Sequence, residues 1–468
     1  MEAGKIALRV LLINPKVNLP IDVRSSPSLG LAYLAAMSEK RGDEVRVLDM
    51  EVEDTPLQQV VREHDPEVIG LTANTIQIKG AWQVATELKQ ITAAPIVLGG
   101  PHPTFLAAES VERPEIDIVV RGEGELTWVD LCTHLGQGKR LETVEGIAYQ
   151  RDGTVIHNPD RAVISDVDSL PLPAYHLFKM ERYTNLQPTL DHIEGDSYPL
   201  LSSRGCPYRC TYCSQILPRR WRARSAQNVV AEWHWLVKEL GAKEIGVLDD
   251  SFNIDRQRVL EICDLITAEG LNHVPWIMIN GIRANLVDEE LLGRMREAGC
   301  IRTAFGVESG NQRILDSVID KHLTLAHVRA AFKAAKAVGM ETIGFFIIGL
   351  PGETEETMED TIRFACELDP IVANFSMATP FPGTEMYNQV LEQGRLLVED
   401  WDDFAFFENK AQFETDDMPA ELVARKWREA YRRFYLRPGR MASTLLRKRT
   451  WQGLPRTIRM AWKTVVSS

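Results

Sequence analysis

Arg204-Gly-Cys-Pro-Tyr-Arg-Cys-Thr-Tyr-Cys-Ser214 sets Cys206, Cys210 and Cys213 within eight residues, spaced C-x3-C-x2-C. The chain has seven cysteines. The other four, Cys132, Cys263, Cys300 and Cys366, are scattered through apolar segments and read as small buried hydrophobes. An odd count, in a chain whose first residues Met1-Glu2-Ala3-Gly4-Lys5 lack a signal-peptide pattern, argues against a disulfide framework. Three close thiolates in a reducing compartment suit a soft metal centre. Zinc sites usually take four ligands, often as two C-x2-C pairs; no second pair follows, and His192 and His234 are not at finger spacing. Three cysteines on one loop could instead hold three irons of a 4Fe–4S cluster and leave the fourth iron open, whereas ordinary electron-transfer clusters use four cysteines.

Outward from this loop, strand and helix signals alternate. Strands are expected at Leu200–Ser203, Glu244–Leu248, Trp276–Asn280, Thr303–Val307, Thr342–Ile348 and Val372–Met377, with helices near 225–240, 255–269, 288–298, 324–338 and 354–367. Six β/α units in series predict a partial (β/α)6 barrel. Polar and glycine-rich residues fall just after each strand: Cys206, Asp249-Asp250, Asn280 with Arg283, Glu308-Ser-Gly310, Gly349-Leu-Pro-Gly-Glu353 and Pro380-Phe-Pro-Gly383. Carboxyl ends of parallel barrel strands face one side, so these groups should converge on one site.

Upstream, residues 9–135 alternate in the same way. Strands are expected at 9–15, 44–50, 68–72, 95–100 and 116–120, with helices between them, which predicts an α/β, doubly wound, Rossmann-like domain. Leu98-Gly-Gly-Pro-His-Pro-Thr104 and Val120-Arg-Gly-Glu-Gly-Glu125 follow strands, where glycine lets the backbone approach a large ligand. Neither is a G-x-G-x-x-G fingerprint, so a dinucleotide is poorly supported. Residues 144–157 read as a hairpin around Arg151-Asp-Gly153, and Asp166 to Tyr175, with Pro171 and Pro173, as a linker. The expected division is 1–140, a hairpin and linker over 141–197, a core over 198–395, and a helical basic region over 396–468.

The cysteine motif and the segments after it, over about 198–395, resemble radical S-adenosylmethionine (SAM) enzymes. In that family the open iron chelates the amino and carboxylate groups of SAM, and reductive cleavage yields a 5′-deoxyadenosyl radical that takes a hydrogen from an unactivated carbon. The resemblance implies that Cys206, Cys210 and Cys213 ligate the cluster. It implies an adenine-side aromatic in Tyr212, an acidic SAM contact in Glu308, an adenine-lining turn at Gly349, and further contacts from Asp249, Asn280 and Arg283. Residues 8–140 resemble the cobalamin-binding class of the same superfamily. Gly99, Gly100, His102, Thr104, Gly122 and Glu123 are then the expected cobalamin contacts. The D-x-H-x-x-G motif that donates a histidine to cobalt in many cobalamin proteins is absent, since His64 and His102 do not fit it.

Together these resemble the group that includes magnesium-protoporphyrin monomethyl ester cyclase and cobalamin-dependent C-methyltransferases. They imply an enzyme using a 4Fe–4S cluster, SAM and cobalamin on a small, apolar metabolite, with an external electron donor such as flavodoxin or ferredoxin. The rival readings are a cobalamin-independent radical SAM lyase or mutase and a non-enzymatic iron–sulfur electron carrier; the latter needs a fourth ligand that the sequence does not supply nearby.

Composition sets the remaining bounds. The 468 residues are 44% hydrophobic and 25% charged, in the globular range. No apolar run of about 18 residues exists, so a cytoplasmic protein is expected. A net charge of −13 argues against a nucleic-acid partner. From Glu421 onward thirteen Lys and Arg face two Glu, about +11, which leaves about −24 for the rest. Apolar and aromatic residues interleave with these cations through Tyr431–Arg440, Leu445–Arg449 and Ile458–Lys463. Such a tail can dock on the inner face of an anionic membrane, or neutralise the acidic body of the chain.

Overall fold

The computed structural model describes residues 6–17, 26–183, 186, 196–214, 216–217, 219–404 and 410–441. The chain divides into two compact units, one built on residues up to Tyr183 with Ile216–Pro218 and Asp400–Asp403, the other on the rest.

The first unit runs β1 (Arg9–Asn14), α1 (Leu29–Arg41), β2 (Glu44–Asp49), α2 (Leu57–His64), β3 (Val68–Thr72), α3 (Ile78–Ile91), β4 (Ile96–Gly99), α4 (Pro101–Phe105), α5 (Ala107–Val111), β5 (Ile118–Val120), α6 (Gly124–Gly136), β6 (Ile147–Arg151) and β7 (Thr154–His157). The sheet order is β2-β1-β3-β4-β5-β6-β7. The first five strands are parallel, and their near-continuous apolar runs are buried, as expected of strands covered by helices on both faces. Order reverses between β1 and β3, so the crevice for a ligand lies at the carboxyl ends of these strands and of β4 and β5 beside them. The hairpin β6–β7 adds two antiparallel strands, with Ile118 opposite Tyr149, and covers the open edge of β5. The hairpin expected over 144–157 therefore extends this sheet beyond residue 140.

The second unit runs β8 (Ser197–Leu200), β9 (Ser203–Arg204), β10 (Arg222–Ala223), α7 (Ala226–Lys238), β11 (Glu244–Val247), α8 (Arg256–Ala268), β12 (Trp276–Met278), α9 (Glu289–Glu297), β13 (Cys300–Glu308), α10 (Leu325–Ala337), β14 (Glu341–Ile348), α11 (Glu355–Leu368), β15 (Val372–Met377), α12 (Glu385–Gln393), β16 (Arg395–Leu396), β17 (Phe413–Glu414) and α13 (Ala420–Tyr435). Its main sheet is all parallel, in the order β15-β14-β13-β12-β11-β8. This is the open six-stranded barrel expected from the alternation. The helices α7 to α12 each begin at a Ser, Thr or Asp whose side chain accepts the backbone N–H three residues on: Ser225, Asp255, Asp288, Thr324, Thr354 and Thr384. These caps fix where each strand-to-helix loop ends.

Two local outcomes differ from the sequence reading. The first barrel strand ends at Leu200, because Ser202 and Ser203 turn out of the sheet to hold Asp249. And Asp400–Asp403, expected in the C-terminal region, packs with the first unit. There Lys79 Nζ meets Asp400 at 2.6 Å and Asp402 at 3.0 Å, while the Trp401 indole donates to Glu109 at 2.8 Å.

Helix α13 closes the exposed edge of the barrel. Trp427 and Tyr431 donate to the Phe375 carbonyl and Tyr435 to that of Ala373, so side chains one turn apart satisfy the free edge of β15. Its cations meet acids of the same unit. Lys426 and Arg433 reach Glu359, and Arg437 and Arg440 reach Asp369. The first stretch of the basic tail, Tyr431–Arg440, thus neutralises the body of the chain. Leu445–Arg449 and Ile458–Lys463 lie outside the described residues. Among the described residues no helix is long and apolar enough to cross a membrane.

Candidate active site

The cysteine loop leaves the sheet after β8. At its base β9 and β10 pair antiparallel, Ser203 with Ala223 and Arg204 with Arg222. Asp249, fully buried at the end of β11, sets this base. Its Oδ1 accepts the Ser202 N–H at 2.7 Å, and its Oδ2 accepts the hydroxyls of Ser202 and Ser203. The expected SAM contact is thus replaced here by a positioning role, since both carboxylate oxygens are used inside the protein. Within the loop the Cys213 N–H donates to the Cys210 carbonyl, and Ser251 donates to Cys206 Sγ at 3.2 Å.

All three thiols are free; Cys210 is buried and the other two half-buried. Burial raises the Cys210 thiol and, with Cys210 alongside, pushes Cys213 up to about 12. Thiolates crowded in so dry a loop become stable only with a soft cationic group among them, which is what an iron–sulfur cluster is. Among the described residues no three Cys, His, Asp or Glu side chains close around a single ion.

Tyr212 and Glu308 meet directly beside these thiols. The phenol donates to Glu308 Oε1 at 2.8 Å, and burial, then the adjoining carboxylate, hold it protonated. Glu308 ends β13 with φ of 63°, after a bulge that shifts the pairing with β14 between Gly306 and Glu308. Such a bulge re-aims the side chain it precedes. A Cβ on Gly306 would lie 2.5 Å from Glu308 Oε1, so a side chain there would displace the carboxylate.

Lys321 completes the group, with Nζ 2.8 Å from Glu308 Oε1. It carries no motif that sequence reasoning could have read. Arg283 lies flat over the Tyr208 ring at 3.5 Å and donates to the Lys321 carbonyl at 2.8 Å. Asn280 is exposed and donates to the Leu248 carbonyl at 2.6 Å. Gly349, φ 89°, gives its N–H to Glu353, and its missing side chain makes room for Val423 of α13. Burial pushes Glu353 up to about 7, against the backbone N–H groups of Leu350 and Gly349 that lower it.

In the first unit, the expected cobalamin contacts separate into two sets. Thr104 donates to the Gly100 carbonyl at 2.8 Å and accepts the Gly122 N–H at 3.1 Å, tying the loops after β4 and β5. Gly100 has φ of 105° and lies against Ala73, where a Cβ would come within 2.7 Å of the carbonyl. Gly99 precedes it, and Gly122 faces open space. These glycines form a backbone cradle at the carboxyl ends of β3, β4 and β5, as a large ligand needs.

His102 and Glu123 turn inward. The His102 ring is fully buried, its centroid 5.0 Å from Trp401 and 6.4 Å from Trp82, with Glu109 3.5 Å away. It shapes the loop and is not presented to a ligand. Burial opposes ionisation of Glu109, yet the neighbouring His102 ring and the hydrogen bond from Trp401 hold it below the ordinary carboxylate range. Glu123 accepts the Ile164 N–H at 2.8 Å.

A glycine cradle on a doubly wound sheet and a three-cysteine loop on an open parallel barrel define a corrinoid-type domain joined to a radical SAM core. Comparison with known proteins agrees. The B12 binding domain family matches residues 24–131 and the Radical SAM superfamily residues 200–365. An uncharacterized methyltransferase of Pyrococcus horikoshii is 36% identical over 444 residues, 92% of this chain and 93% of the relative. Cytidylyl-2-hydroxyethylphosphonate methyltransferase of Streptomyces wedmorensis is 30% identical, covering 82% of each chain. Anaerobic magnesium-protoporphyrin IX monomethyl ester cyclase of Rubrivivax gelatinosus is 30% identical over 92% of this chain and 78% of its own. The fold is also that of the radical SAM methyltransferase TsrM of Kitasatospora setae, solved with cobalamin and a [4Fe–4S] cluster: TM-score 0.72, 20% identity, 92% and 89% of the chains. The chain belongs to the cobalamin-binding radical SAM enzymes. Membership of that family implies a 4Fe–4S cluster, SAM and cobalamin as its cofactors.

Proposed function

We propose that the protein transfers a methyl group to an unactivated carbon of a small, apolar metabolite. The observation that carries this reading is the cysteine loop, whose three thiols leave one iron of a cluster for SAM, in a chain that also bears the glycine cradle. When bound, the cluster and SAM supply hydrogen abstraction from carbon, and cobalamin supplies the methyl group. The protein's part is to hold and orient. Cys206, Cys210 and Cys213 hold the cluster. Glu308 and Tyr212 orient SAM, with Asn280, Arg283 and the Gly349 turn around them. Gly99, Gly100, Thr104 and Gly122 receive the corrin.

The relatives named methyltransferases support methylation; the cyclase relatives, similar over as much of this chain, make oxidative cyclisation the second reading. Reduction needs an external one-electron donor of the flavodoxin or ferredoxin kind. Attachment to an anionic membrane face rests on the cations of residues 442–468.

The test is anaerobic reconstitution with iron, sulfide and hydroxocobalamin, then SAM and dithionite. The expected results are a corrinoid spectrum that survives desalting and formation of 5′-deoxyadenosine, with deuterium transferred to it from a labelled substrate. No 5′-deoxyadenosine refutes the radical reading, and loss of the corrinoid on desalting refutes cobalamin-dependent methylation.

A further inference from the structure

The short segment after the π-helical turn Ile314–Val318 carries an unusual concentration of strain. Asp320 has φ of 56° and His322 φ of 52°, so Lys321 sits between two left-handed residues that are not glycine. Glu308, the residue it pairs with, is left-handed too, at 63°. Such conformations persist only where the surroundings impose them, and they gather at functional sites.

What imposes them here is visible. Val318 and Ile319 accept two hydrogen bonds from Thr211, at 2.8 and 3.1 Å, directly between Cys210 and Tyr212. The Lys321 and His322 carbonyls accept from Arg283, which itself covers Tyr208. Lys321 Nζ, almost fully buried, reaches Glu308 Oε1 at 2.8 Å and stands 3.4 Å from the Tyr212 hydroxyl. The segment thus touches the cysteine loop at Thr211 and Tyr212 and the acidic strand end at Glu308, and Arg283 links it to Tyr208.

We infer that Lys321 is a positioning residue, which holds the Glu308 carboxylate and the cysteine loop in one fixed arrangement for SAM. Glu308 is itself buried, and a buried carboxylate without its cation is costly, so it would turn away from this position if Lys321 were neutral. With Lys321 present, both donors fall on Oε1, and Oε2 is left to the hydroxyl or ammonium of a ligand. Lys321 acts through Glu308. This inference rests on the radical SAM reading of the same site.

The test uses the full chain, reconstituted anaerobically, with K321M and K321R beside the wild type. Iron content and the melting temperature of the unloaded protein come first. SAM affinity is then read from the change it makes in the electron paramagnetic resonance spectrum of the reduced cluster. K321M should keep its iron and bind SAM about tenfold more weakly or worse, the size typical of losing a supporting partner in a metal site. K321R, which keeps the cation, should recover most of the affinity. Should K321M melt below the wild type, K321Q takes its place with the same outcomes. A neutral variant that binds SAM as the wild type does overturns this inference alone. A wild type that assembles no cluster overturns the functional reading, and this inference with it.

Discussion

Val423 occupies the space over Gly349: a Cβ built on that glycine would lie 2.5 Å from the valine Cγ1. The Gly349 turn is therefore packed directly under α13. Gly349→Ala adds both this overlap and a left-handed alanine at φ 89°, and should cost about 2–4 kcal/mol. Adding Val423→Ala should remove the overlap and leave the backbone strain, so the double variant recovers part of the loss. Urea denaturation of the four proteins measures both terms.

Asp249 separates a positioning role from a contact with cofactor. Asp249→Asn puts an amide where the carboxylate accepts from Ser202 and Ser203, so a buried donor is left facing donors. A loss of about 2–3 kcal/mol in unfolding free energy is expected for the unloaded protein. SAM affinity, measured on the fraction that holds its cluster, should be nearly unchanged. Normal stability with weakened SAM binding would contradict the positioning role.

Glu353 makes the barrel less stable as pH rises. Its carboxyl is raised from the ordinary 4.5 to about 7 by burial, so between those values the folded chain binds more protons than the unfolded one. Stability from this group is complete below about 4.5 and is lost as pH rises through about 7. Glu353→Gln keeps an oxygen for the Gly349 and Leu350 N–H groups and removes the titration. Melting curves between pH 5 and 8 should fall more steeply for the wild type than for the variant.

Two truncations separate the halves of the basic tail. Ending the chain at residue 419 removes α13 and strips the Phe375 and Ala373 carbonyls of their indole and phenol donors. Aggregation through the exposed β15 edge is expected, seen as early elution in size exclusion. Ending it at residue 441 keeps those contacts and should leave a stable monomeric core. Only the second truncation reports on membrane attachment: it should float less with anionic liposomes than the full chain.

The cysteine loop, the six barrel units and the glycine turns were legible because each rests on residues adjacent in sequence. The helix starts at Ser225, Asp255, Asp288, Thr324 and Thr354 announce themselves in the same local way. Lys321 was not legible, since its position depends on left-handed turns at Asp320 and His322 that follow no pattern of residue types. Nor was the place of Trp401, whose indole meets Glu109 across 292 residues of chain. Asp249 read as a ligand because acids after barrel strands often are; only the folded chain shows Ser202 and Ser203 consuming its oxygens. The surroundings of His102 were not legible either, as its ring packs against Trp82 and Trp401.

The order β8-β11-β12-β13-β14-β15 means that every barrel strand lies beside the one made just before it. No strand must wait for a later one to separate it from its neighbour. Such a sheet can grow as the chain leaves the ribosome, each βα unit closing a short loop onto a surface already present. The last strand, β15, keeps one open edge, and the helix that shields it is made after it. Assembly should therefore run in one direction, from the cysteine loop toward α13. Pulse-labelled hydrogen exchange during synthesis would show protection of β11 before β14, and the reverse order would contradict it.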